Sequence, residues 1–149
     1  MDPFTLDPRP RPGRCRVKGC RHHVTPGQRR KQGGFCRRCK EDRYKVRHPY
    51  TYALNKLRNN ARRRGHAFDL TLEEWIMFCD LTGYVDARGR GAEDLSIDRI
   101  RDSEGYTLSN IRVLTVSENS RRAAVRRKIE SWDRAHWARI VDSLVSNAA

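Results

Sequence analysis

Cys15, Cys20, Cys36 and Cys39 fall as C-x4-C, fifteen residues, then C-x2-C. Two close pairs on either side of a short loop can bring four thiolates to one tetrahedral Zn2+. Disulfides are the competing use of such thiols; a basic chain without a secretory leader favours the metal. Four protein thiolates leave no coordination place for water, so the expected zinc is structural. His22 and His23 follow Cys20 closely and are further ligand candidates. Energetics also call for the ion. Among residues 1–50 the large apolar side chains are Phe4, Leu6, Val17, Val24, Phe35, Tyr44, Val46 and Tyr50, too few to offset chain entropy. Structural zinc contributes on the order of 10 kcal/mol. Cys79 stands apart and reads as a small buried hydrophobe.

The second chemistry is phosphate recognition. The chain has 149 residues and a net charge of +14, and residues 1–70 hold 20 of its 32 basic residues but only 5 of its 18 acidic ones. Such asymmetry points to a polyanion, because each neutralised phosphate releases counterions. Arginine dominates, and its planar fork suits phosphate. The candidate contacts are Arg29 and Arg30 between the cysteine pairs, Arg37 and Arg38 within the second pair, the run Arg62, Arg63 and Arg64, and Arg121 and Arg122. No run approaches the roughly 18 apolar residues of a membrane span, and the expected location is the cytoplasm. The length allows one modest domain with a small appendage, which excludes a large, deep-pocketed enzyme.

The elements that must position these residues follow from local pattern. Residues 1–13, with Pro3, Pro8, Pro10 and Pro12, read as a disordered arm, and residues 14–48 as the zinc module. From Pro49 to Gly65, Tyr52, Ala53, Leu54, Leu57 and Ala61 recur at helical spacing. Thr71 and Glu74 make a capping box, predicting a helix over 72–81 that turns Trp75, Ile76 and Phe78 inward and stops at Gly83. Residues 95–100 and 111–115 read as strands around a loop, 101–110. A second box, Thr115 and Glu118, opens a helix over 116–128. Residues 129–149 read as a C-terminal amphipathic helix, either separate from the preceding helix or continuous with it, with Ile129, Trp132, Trp137, Ile140, Val141 and Leu144 on its apolar face, a core or homodimer contact. The fold class is α+β.

The stretch 94–122, DLSIDRIRDSEGYTLSNIRVLTVSENSRR, resembles the ββα-metal motif of the HNH endonuclease family, particularly its phage-type members. The segment ARRRGHAFDLTLEEWIMFCDLTG resembles their helical lead-in, so the nuclease-like part spans 49–128. CRVKGC and GFCRRCK are similar to a zinc module often found ahead of such nucleases, with Cys39 where that module commonly has histidine. The resemblance implies that Asp98 and Asn119 bind a catalytic Mg2+ or Mn2+ and that Asn110 braces the loop. A hard cation on one carboxylate and one amide would stabilise the departing oxygen of a phosphodiester. Arg121 and Arg122 would hold the backbone of double-stranded DNA.

Two departures qualify what is implied. The position after Asp98, where most members carry the histidine base, is Arg99. Its neutral form is rarer than about one in 100,000 at pH 7, costing on the order of 7 kcal/mol to use. Arg99 is therefore expected to stabilise the phosphate, with the base role passing to metal-activated water or to His66; Asp102 and Glu104 are further candidates. The nuclease-like part also lacks the cysteine pairs many relatives carry. The expected activity is a nicking or homing-type DNA endonuclease; the alternative is an HNH-fold nucleic-acid-binding protein without cleavage.

Overall fold

The computed structural model describes residues 4–9 and 11–146, with side chains through residue 140. Pro3 and Pro10 of the expected arm, residues 147–149 of the expected C-terminal helix, and the side chains of Val141 and Leu144 lie outside the described residues.

The N-terminal module is built on caps more than on apolar faces. Thr25 opens α1 (Pro26–Gln32) with a capping box to Gln28, a proline in the first turn and left-handed Gly33 at its end. Cys36 caps α2 (Arg37–Arg47), its sulfur accepting from the Cys39 amide at 3.4 Å. Cys15, Val24, Cys36 and Cys39 form the buried centre, with Val17, Cys20 and Phe35 against it. The arm expected to be disordered folds back in its described part. Leu6 bridges to Val17, the Asp7 amide donates to Arg16 at 2.7 Å and the Lys18 amide donates to Thr5 at 2.9 Å. Pro8 and Pro12 flank this pairing without entering it, so no amide is lost from it.

The larger core belongs to the remaining chain. α3 (Pro49–Arg63) buries Ala53, Leu54 and Ala61. α4 (Leu72–Thr82) starts at the Thr71–Glu74 box, and Gly83, at φ 66°, ends it in the left-handed conformation that favours glycine. Trp75 of α4 is fully buried and its indole N–H donates to the Tyr50 carbonyl at 3.1 Å, tying α4 to the start of α3. One short turn of helix, α5 (Tyr84–Ala87), leads into the hairpin. Strands β1 (Leu95–Arg99) and β2 (Ile111–Thr115) pair antiparallel with Asp98 opposite Arg112. α6 (Val116–Ser146) follows β2 directly and packs against both strands. Glu118 accepts from the Thr115 amide at 2.9 Å, and that bond holds its carboxyl below the usual range. The fold is thus mixed, helices around a two-stranded sheet.

Of the two arrangements expected around residue 129, the structure has the continuous one: α6 runs unbroken across it. In the described part of its apolar stripe, Ile129, Trp132 and Trp137 are exposed, the two tryptophans at 62% and 65%.

Candidate functional site

Four sulfurs converge in the N-terminal module. The ligand atoms of Cys15, Cys20, Cys36 and Cys39 all lie within 4.8 Å of one another. Cys15 and Cys20 come from the loop before α1; Cys36 and Cys39 cap and open α2, where aligned backbone amides favour negative charge. The Cys36 amide donates to Cys15 Sγ at 3.4 Å. Burial raises the Cys36 thiol, and burial together with its sulfur neighbours raises Cys39. For Cys15 burial acts in the same direction, but backbone bonds from Cys36 and Val17 outweigh it and the thiol is held low. A divalent cation at the centre would bind all four thiolates and offset half of their charge, and an all-sulfur set suits zinc. All five cysteines are free thiols. His22 sits beside the set, with Nδ1 3.3 Å from Cys20 Sγ, while His23 pairs through its backbone with Arg14.

The hairpin gathers the other candidates. Successive strand side chains point to opposite faces, so Asp98 and Arg99 part company. Asp98 is buried, and its Oδ2 takes Arg112 Nε at 3.0 Å from β2 and Arg122 Nε at 3.3 Å from α6. The Arg122 approach is an ion pair without hydrogen-bond alignment: Arg112 Nη2 and Arg122 Nε are buried without a hydrogen-bond partner. Arg99, expected to face phosphate, instead turns toward the 101–110 loop. Its Nη1 donates to the carbonyls of Asp102 at 2.9 Å and Glu104 at 2.7 Å, and its guanidinium lies over the Tyr106 ring. Glu104 is bound by Arg101, which lowers its carboxyl pKa, and Asp102 pairs with Arg126 at 2.5 Å.

Asn110 is fully buried at the loop's end, where a short 3-10 turn (Leu108–Asn110) enters β2. Its oxygen accepts from the Arg101 amide at 2.8 Å, and its nitrogen donates to the carbonyls of Gly105 at 2.8 Å and Arg101 at 3.1 Å. Asn119, one turn into α6, donates its amide nitrogen to Ser96 Oγ at 3.1 Å and to the Ile97 carbonyl at 3.4 Å. Its amide oxygen is therefore the atom turned away from β1. Both arginines approach the same oxygen of Asp98. The unengaged oxygens of Asp98 and Asn119 are of the hard type a Mg2+-like ion takes, while the two guanidiniums oppose such an ion electrostatically.

His66 lies beyond α3 with its ring against Tyr106, 6.3 Å between centroids. Burial lowers its pKa, and the cations Arg99, Arg64 and Arg126 lower it further against the opposing pull of Asp102. A neutral imidazole results near pH 7.

The predicted phosphate contacts do not form one patch. Arg37 and Arg38 border a shallow cavity with His22 and His23, and Arg121 and Arg122 border another with Asp102 and Arg126. Arg29 and Arg30 are exposed on α1, and Arg62 and Arg63 are exposed at the end of α3. Arg64 opens instead onto a cleft of about 680 Å3 that also receives Asn119. Arg112 was missed by sequence reasoning; pairing residues 95–99 against 111–115 in register would have placed it opposite Asp98. Comparison of the chain with family models, curated proteins and solved structures finds no match.

Proposed function

We propose that the chain is a metal-dependent DNA endonuclease of HNH type, with a structural zinc in the four-cysteine module. The observation that carries this reading is the arrangement of β1, β2 and α6, in which α6 lays Asn119 against Ser96 and Ile97 and Arg122 against Asp98 of the same strand. Asp98 and Asn119 would hold Mg2+ or Mn2+, which when bound stabilises charge on the departing oxygen. Arg112 and Arg122 set two guanidiniums beside Asp98, a charge suited to a phosphate drawn up to the same ion. Asn110 and Arg99 hold the loop between the strands from within. His66, kept neutral by its surroundings, supplies a ring nitrogen able to accept a proton.

A second reading, a nucleic-acid-binding protein without cleavage, draws on one specific observation: the Asp98 charge is already matched by two arginines. Incubation of supercoiled plasmid with the zinc-loaded protein in Mg2+, in Mn2+ or with neither ion added separates the two. Nicking that needs the ion and falls by about 100-fold or more in Asp98→Ala and Asn119→Ala supports the endonuclease. Duplex binding without nicking in either ion supports the second reading. Full-rate nicking by Asp98→Ala overturns the assigned site.

A further inference from the structure

We infer that the cleft between α2, α3 and β1 is a binding groove for an unpaired nucleic-acid strand. The inference deepens the proposed function by naming the form of polyanion that reaches Asn119, and it rests on that reading only for the nucleic-acid partner.

The cleft has a volume of about 680 Å3. A recess of this volume cannot enclose a double helix, whose two grooves alone are about 12 Å and 6 Å wide. A single strand fits. Five cations border the space: Lys45 from α2, Lys56 from α3, Arg64 just beyond α3, and Arg88 and Arg90 from the segment before β1. They come from separate parts of the chain and surround more volume than one phosphate fills, as a strand with several phosphates requires. Two acids, Glu41 and Asp42, share the lining and leave the cations in excess. Glu41 accepts from the Tyr52 hydroxyl at 3.2 Å, and Asp42 faces Arg38 at 3.9 Å.

Tyr52 supplies the surface for a base. Its hydroxyl is anchored by Glu41, and Lys56 and Arg88 stand 5.9 Å and 5.4 Å from its ring centre. Both cations lie over the ring, so a base stacks on it as one of them shifts from the ring to the incoming phosphate. Tyr106 and Asn119 line the same cleft, so a strand lying in it passes the amide assigned to the cation site.

The test measures anisotropy of a fluorescein-labelled 15-nucleotide single strand and of the same sequence as duplex, with the zinc-loaded protein and no Mg2+ or Mn2+ added, so that nothing is cleaved. Wild type is expected to bind the single strand more tightly at matched salt. The double variant Lys56→Glu/Arg88→Glu is expected to lose about tenfold in single-strand affinity and less than about threefold in duplex affinity. Tyr52→Leu is expected to lose about fivefold for the single strand at an unchanged salt slope, as lost stacking does. Lys45→Gln/Arg90→Gln, confined to exposed rim positions, repeats the measurement without altering packed side chains. Equal losses on strand and duplex in both charge variants, or tighter duplex binding by wild type, overturn the inference. Because binding is read without the ion, its failure is distinct from failure of plasmid nicking.

Discussion

At the scale of single residues, electrical surroundings decide what each candidate can do. Asp98 and Arg99 are neighbours in sequence, yet one is buried among arginines from β2 and α6 and the other holds two loop carbonyls. His66 is the residue whose titration reports on this arrangement. Burial first, then Arg99, Arg64 and Arg126, lowers its pKa. In the unfolded chain it titrates near 6.5, so as pH falls through that value the unfolded state takes up its proton first. The stabilising contribution is full above about pH 6.5 and is lost as pH falls through the lower folded value. NMR titration of the imidazole is expected to place its midpoint below that of free histidine, and Arg64→Gln is expected to move it upward. A midpoint at or above the free value would show that those cations do not act on His66. The type of residue at 66 was legible in sequence, but its environment was not, because the cations come from α3's end, β1 and α6.

Among the elements, the loop between the strands is the most tightly determined. Asn110 satisfies the backbone at Arg101 and Gly105 from one buried side chain. Gly105 has no room for a side chain, since an added Cβ would fall 2.5 Å from the Ala67 carbonyl oxygen. The Tyr106 amide bonds that same oxygen at 2.9 Å and fastens the loop to the approach to α4. Asn110→Ala therefore leaves buried backbone groups without partners and is expected to cost about 2–4 kcal/mol in urea unfolding. A loss below about 0.5 kcal/mol would mean that water replaces the side chain freely. Both capping boxes with Glu at their third position, at Thr71 and Thr115, were legible because their chemistry lies within four residues. α1 and α2 were not read from the sequence. They are short and bury little apolar surface, and Cys36, which caps α2, doubles as one of the clustered thiols. The continuity of α6 past residue 129 was open to the sequence as one of two arrangements, since no glycine or proline falls there to end the helix.

Across the molecule two cores of unequal strength share one groove. The larger contains Trp75, Leu54 and Tyr106 and is built by apolar burial; the smaller centres on three cysteines and Val24. The groove uses both, taking Lys45 from α2 and the remaining cations from the larger part. Its residues were invisible as a set in the sequence because they are drawn from segments that only the fold brings together. Zinc removal should consequently act at two levels. Stripping the metal with a chelator at neutral pH removes on the order of 10 kcal/mol from the four-cysteine module. Backbone NMR signals from residues 14–47 are expected to collapse toward unfolded positions, while the Trp75 indole signal stays in place. Single-strand affinity should fall with them, as one wall of the groove is lost, and return when Zn2+ is added back. Lowering the pH should favour metal loss, because protons compete for the thiolates. A module that keeps its dispersed signals after the metal is stripped would show that four sulfurs and a few apolar side chains hold it unaided. Collapse of the Trp75 environment at the same zinc concentration would show that the two cores fold as one.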